Sequence, residues 1–128
     1  MARMMIIFSM LIVSAFPLMA NAKPNPRIGN VYYNMVCNSC HTSEAKDIQP
    51  GSWKIEDWAA YFAIDNHAGD KDSKPVSYYL QREYRETIKD SNKAAKKFLN
   101  MSTEELFQSV RSYLLHNASD SDVVNPCG

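Results

Sequence analysis

The residues best suited to chemistry stand together in the first third of the chain: Cys37, Asn38, Ser39, Cys40 and His41. Two thiols separated by two residues and followed directly by an imidazole form C-x-x-C-H, the attachment motif of c-type haem. In that chemistry the thiols add to the two vinyl groups of the haem, and the adjacent imidazole binds the iron. The motif therefore predicts one covalently attached haem c, held by Cys37 and Cys40, with His41 as the proximal iron ligand.

The same motif has three other interpretations. A C-x-x-C redox pair belongs in a βαβ context, and no such pattern surrounds these residues. A zinc site requires a second pair of ligands at close spacing, which the sequence does not supply. A chance occurrence is the third interpretation. We expect haem attachment and keep a haem-free redox pair of Cys37 and Cys40 as a remote alternative.

The first 22 residues have the composition of a targeting segment. Arg3 gives a positive start, residues 6–13 are mostly apolar, and residues 20–22 form an A-x-A cleavage site. The apolar run is short for a membrane span. We therefore expect cleavage before Lys23, a periplasmic or secreted protein, and no stable membrane anchor afterwards. Export agrees with the motif, because c-type haem is attached outside the cytoplasm.

Residues 23–128 are expected to form one small domain with a polar C-terminal tail. A domain of this size buries a limited core, to which an apolar haem would contribute. The full chain has 14 basic and 14 acidic residues, and this balance gives no reason to expect a nucleic acid partner. The sequence also contains no motif for covalent or acid–base catalysis, so we expect an electron-transfer protein and not an enzyme.

Apolar residues recur at three- and four-residue spacing in four stretches, which predicts amphipathic helices and no strands. The first stretch runs into the attachment motif, and the others cover about residues 55–65, 75–88 and 102–116. Ser52 is expected to cap the second helix and Ser102 the last one. The sequence therefore predicts an all-α protein.

The first and last predicted helices carry a more specific pattern. Gly29 lies eight residues before Cys37, and the aromatic Tyr33 lies four residues before it. The last helix ends in an apolar residue followed by x-x-aromatic-leucine, as Val110, Tyr113 and Leu114. With these residues and its C-x-x-C-H motif, the chain resembles the class I c-type cytochromes over about residues 27–66 and 102–116.

The resemblance implies a small class I cytochrome c-like helical fold around one covalent haem. It implies that the last helix packs across Gly29. It also implies an exported monohaem carrier that transfers single electrons between redox protein partners.

The sixth iron ligand is where the chain departs from this family, which usually supplies a methionine from a loop before the last helix. Residues 42–100 contain no methionine. Met101 follows them, but its spacing to Leu106 predicts a hydrophobic staple. His67 follows the helix expected to flank the haem and is the predicted sixth ligand, with Met101 and His116 as alternatives. An iron with an open sixth position would instead make the protein a haem-based sensor or a peroxidase-like enzyme.

Two further features concern partners. Lys93, Lys96 and Lys97 cluster before the last helix, where they either dock an acidic redox partner or form a solvated face. Cys127 has no intramolecular partner if the other two cysteines form thioethers. In an exported protein it predicts a free thiol or a disulfide-linked dimer.

Overall fold

The computed structural model describes residues 23–41, 48–65, 67 and 74–122. These residues form helices and no strand, which confirms the all-α prediction. In chain order the helices are α1 (Pro26–Tyr32), a π-helical turn (Tyr33–Cys37), α2 (Asn38–His41), a 3-10 turn (Pro50–Ser52), α3 (Ile55–Ile64), α4 (Val76–Leu80), α5 (Arg82–Ile88), α6 (Lys93–Lys97) and α7 (Thr103–His116). The predicted targeting segment and Cys127 lie outside the described residues.

The first helix begins at Pro26 and, as predicted, leads directly into the attachment motif. The side chain of Asn25 accepts a hydrogen bond from the backbone N–H of Arg27, and Pro26 occupies the first turn. After Tyr32 the backbone changes to π-helical geometry as far as Cys37, and α2 then carries the remaining motif residues. π-helical turns are rare and occur frequently at functional sites.

Helices α1 and α7 cross at Gly29. A Cβ atom on this glycine would lie 2.6 Å from the carbonyl carbon of Ser109 and 2.8 Å from Cβ of Tyr113, closer than real side chains approach. The hydroxyl of Ser109, which is fully buried, also accepts a hydrogen bond of 3.1 Å from the backbone N–H of Asn25. Only a residue without a side chain permits this crossing, which the glycine in the predicted helix had indicated.

The last helix also begins as predicted. The hydroxyl of Ser102 accepts a hydrogen bond of 3.1 Å from the backbone N–H of Glu105, and the helix ends at His116. Met101 is half-buried and packs against the core that contains Leu106.

Helix α3 begins at Ile55 with Lys54 as its N-cap residue, so the expected cap by Ser52 is wrong. Ser52 ends the 3-10 turn, where its hydroxyl accepts a hydrogen bond of 3.2 Å from the N–H of Gln49. Lys54 precedes the helix, and the carboxylate of Asp57 accepts a hydrogen bond of 3.1 Å from its N–H. A serine hydroxyl can accept such a hydrogen bond in a 3-10 turn or at the start of an α-helix. Pro50 occupies the first position of the 3-10 turn and favours this turn over an α-helix that would start directly after Ser52.

The end of α3 is fixed by Asp65, which has left-handed backbone geometry with φ of 49°. Its carboxylate accepts a hydrogen bond of 2.8 Å from the backbone N–H of Ser77 at the start of α4. This bond joins two helices on either side of His67.

The third predicted helix is two helices, because Gln81 is extended and separates α4 from α5. Leu80 is 1% exposed and Arg85 is 0% exposed. In one continuous helix these residues would point about 140° apart. The interruption allows both to be buried.

The core lies between α1, α3, α4 and α7. Its fully or nearly fully buried members include Tyr32, Leu80, Leu106, Val110 and Leu114. No helix in the described part of the chain has the length and apolar composition needed to cross a membrane.

Candidate functional site

A cavity of about 330 Å³ lies beside the attachment motif. Its volume is within the range of small-molecule and cofactor sites. The described residues that line it are aromatic, aliphatic or sulfur-containing apart from two histidines: Tyr33, Val36, Cys37, Cys40, His41, Ile48, Trp53, Trp58, Tyr61, Phe62, His67, Val76, Tyr79, Leu80, Tyr84, Val110 and Leu114. None of these is Lys, Arg, Asp or Glu.

Both motif cysteines line the cavity. Cys37 is half-buried and Cys40 is exposed, and both are free thiols. Burial, followed by the nearby Cys40, raises the pKa of Cys37 to about 12. At neutral pH Cys37 is therefore a thiol in the metal-free chain, whereas the reactive cysteine of a redox-active C-x-x-C pair has a lowered pKa.

The rings of the two cavity histidines lie close together in an edge-to-face arrangement. The ring centroids of His41 and His67 are 5.8 Å apart and their planes differ by 64°. Two imidazoles bound to one metal ion from opposite sides, each at about 2 Å, have centroids on the order of 6 Å apart. At the observed separation, both imidazoles could hold one metal ion.

The surroundings of the two rings keep them suited to metal binding. Nδ1 of His41 is buried and makes no hydrogen bond to any residue that the structure describes. Burial, and then the neighbouring His41, lower the pKa of His67, which favours the neutral imidazole that binds metals.

His67 reaches the cavity because the helices around it are fixed. Asp65 ends α3 and is hydrogen-bonded to Ser77 on α4, as described above. The ring of Tyr79 on α4 lies 5.4 Å from the ring of His67, centroid to centroid. The backbone carbonyl of Tyr79 in turn accepts a hydrogen bond of 2.6 Å from the hydroxyl of Tyr32.

The two alternative sixth ligands do not line the cavity. His116 is exposed at the end of α7, with Nδ1 2.8 Å from the carbonyl oxygen of Ser112. Met101 is half-buried against the core, and its carbonyl accepts a hydrogen bond from Arg85. Of the three candidates only His67 shares a cavity with the attachment motif.

The aromatic residues of the cavity wall were not identified as site residues from the sequence, because their apolar spacing is that of any amphipathic helix. Trp58 is held by a hydrogen bond of 2.8 Å from its indole N–H to the carbonyl of Pro50. The rings of Trp53, Trp58 and Tyr61 pack against one another, with Tyr61 edge-to-face against both tryptophans. Tyr79 on α4 and Tyr84 on α5 also line the cavity. The number of aromatic residues in a chain with a C-x-x-C-H motif was the sequence signal that could have identified them as cavity-lining residues.

The lysine cluster lies away from the cavity lining. Lys93, Lys96 and Lys97 are exposed on α6, and the N-cap residue Asn92 donates a hydrogen bond of 2.6 Å to the carbonyl of Met35 in the π-helical turn. This hydrogen bond connects the start of α6 with the π-helical turn that contains Cys37.

Among the described residues, no three His, Cys, Asp or Glu side chains converge where they could hold a metal ion together. Comparison with known proteins gives no match: no family model, no curated protein and no solved structure is significantly similar to this chain.

Proposed function

We propose that this chain is an exported c-type cytochrome that binds one covalent haem and transfers single electrons between redox proteins. The observation that carries the proposal is that Cys37, Cys40, His41 and His67 all line one aromatic cavity. The two thiols would be the covalent attachment points, and the two imidazoles, whose ring centroids are 5.8 Å apart, would bind the iron.

The donor set, the apolar wall and the buried Nδ1 of His41 fit a haem. A bound haem supplies one-electron iron chemistry. Cys37 and Cys40 hold the group, and His41 and His67 are its proximal and sixth ligands. The aromatic wall limits the access of water. A pair of imidazoles gives a lower reduction potential than an imidazole with methionine.

A class I cytochrome c-like arrangement is part of the same proposal. Its support is the crossing of α1 and α7 at Gly29, with Tyr113 against the glycine and Val110 and Leu114 on the cavity wall. These are the residues through which the sequence resembles that family.

Production in a host that matures c-type cytochromes tests the proposal. The wild-type chain should be coloured and heavier than the cleaved polypeptide by the mass of one haem. Cys37→Ala and Cys40→Ala should weaken or abolish covalent loading, whereas the matched control Cys127→Ser should load normally. A colourless product with the mass of the unmodified polypeptide would refute haem attachment.

The same preparation separates a carrier from the sensor or peroxidase-like alternative. We expect low-spin, six-coordinate iron in both redox states. High-spin iron that binds CO readily in the wild-type protein would contradict the carrier and favour the alternative.

A further inference from the structure

The largest fully buried side chain in the described part of the protein is that of Arg85, with 0% exposure. Burying a guanidinium is costly unless another group compensates its charge. Arg85 lies on α5 directly after Tyr84, whose ring lines the cavity. The charge is therefore placed behind the cavity wall.

The hydrogen-bond partners of Arg85 are neutral backbone carbonyls, which satisfy its donors without carrying an opposite charge. Its guanidinium donates to the carbonyl of Phe98, to the carbonyl of Met101 at 2.8 Å, and to the carbonyl of Gln81 at 3.3 Å. Within the described residues it forms no ion pair; the salt bridge found there joins Lys89 and Glu86. Carbonyl oxygens are dipoles, so a net positive charge remains.

Two contacts connect this charge with the site. The ring of the buried Tyr32 lies 6.5 Å, centroid to centroid, from the ring of Phe98, whose carbonyl accepts a hydrogen bond from Arg85. The hydroxyl of Tyr32 also donates to the carbonyl of Tyr79, and the Tyr79 ring lies against His67. Arg85 is thus connected through Phe98, Tyr32 and Tyr79 with the His67 side of the cavity.

We propose that Arg85 is a tuning residue whose buried positive charge raises the reduction potential of the haem bound in the cavity. This inference rests on the proposed function. Reduction adds one negative charge to the site, and a fixed positive charge stabilises the reduced state more than the oxidised state. The effect is weakly screened because the charge is inside the protein. Arg85 therefore offsets part of the low potential that two imidazole ligands impose.

A purely structural role predicts a different result. If Arg85 only fixes the turn at residues 98–101 through its hydrogen bonds, its replacement lowers stability and leaves the potential of the folded holoprotein unchanged. Charge and hydrogen bonding can be separated by substitution, since lysine keeps the charge, glutamine keeps donors without charge, and methionine keeps neither.

The test is redox titration of the holoprotein for wild type, Arg85→Lys, Arg85→Gln and Arg85→Met, with Arg82→Met as the exposed control on the same helix. We expect the potential to fall in both neutral variants and to stay near wild type in Arg85→Lys and Arg82→Met. We expect this fall in potential to persist at high salt concentration, because salt screens the effect of an exposed charge much more than that of a buried one.

An unchanged potential in a neutral variant with normal spectrum and helicity would overturn the proposal, and so would an equal fall in Arg85→Lys. If Arg85→Met gives no holoprotein, Arg85→Gln decides. Absence of haem from the wild-type protein would instead refute the proposed function, so the two failures are distinguishable.

Discussion

At the scale of single residues, the two neighbouring imidazoles in the cavity are the feature with the clearest functional consequence. His67 lies outside the C-x-x-C-H motif that contains His41, yet the two ring centroids are 5.8 Å apart. His116 is exposed on the outside of α7. Substitution of His67 therefore provides a test, and substitution of His116 provides its control.

Replacement of His67 by alanine should open the iron to CO and raise the reduction potential, because an imidazole that stabilises the oxidised iron is lost. Covalent attachment and helicity should survive. The matched variant His116→Ala should leave the spectrum, CO binding and potential unchanged. Visible spectra in both redox states, CO titration and redox titration measure these effects.

Met101→Leu should change only stability, and only slightly, because leucine keeps an apolar contact with the core. The assignment fails if His67→Ala retains the wild-type spectrum while Met101→Leu loses low-spin iron. That pattern would return the sixth position to methionine.

The sequence predicts some of these residues well and others not at all. Cys37, Cys40 and His41 are recognisable because their chemistry depends on local spacing. Arg85 could not be identified as buried, since its position depends on the helix break at Gln81 and on a turn thirteen residues later. Charged residues are rarely buried, so the sequence pattern favoured a solvated position for it.

At the scale of helices, the crossing of α1 and α7 fixes one side of the cavity. Val110 and Leu114 on α7 line the cavity, and Val36 lines it from the π-helical turn. The separation of the two helices is set at Gly29. A small increase in that separation would displace the whole wall.

Gly29→Ala should destabilise the protein by about 1–3 kcal/mol or more, because the added methyl group overpacks a contact made partly by backbone atoms. The control is Gly51→Ala, where the new Cβ would meet its nearest neighbour, the carbonyl oxygen of Asn117, at 3.7 Å. Denaturant unfolding of the two holoproteins makes the comparison. Equal stability of the two variants would show that the crossing tolerates a side chain.

Helix boundaries with a local cap were predictable, and those set by tertiary contacts were not. Ser102 acts within its own turn, so the last helix begins where expected. The break at Gln81 has no comparable local signal, because the apolar spacing continues through it. It becomes intelligible only once Leu80 and Arg85 are both seen to be buried.

At the scale of the whole molecule, the cavity is large for so small a domain. A sealed, empty cavity of 330 Å³ would cost up to about 8 kcal/mol at about 24 cal/mol per Å³, and an opening to solvent reduces this cost. The free energy of unfolding of a typical domain is only about 5–15 kcal/mol. A group that fills the cavity would therefore supply a large share of the stability.

We accordingly expect the haem-free chain, made in a host without cytochrome c maturation, to be mostly unfolded. Far-ultraviolet circular dichroism should show much less helix than in the holoprotein, and thermal unfolding should lose its cooperativity. The double variant Cys37→Ala/Cys40→Ala should behave in the same way. A compact, cooperatively unfolding haem-free chain would contradict this expectation and would mean that the protein core closes without a cofactor.

The bond between Asn25 and Ser109 joins residues 84 positions apart in the chain. A ribosome delivers the N-terminal part first, so both motif thiols are made well before α7, whose Val110 and Leu114 line the cavity. Under the proposed function, this order of synthesis would leave the C-x-x-C-H segment accessible to an attachment enzyme until the final helix packs over the cavity.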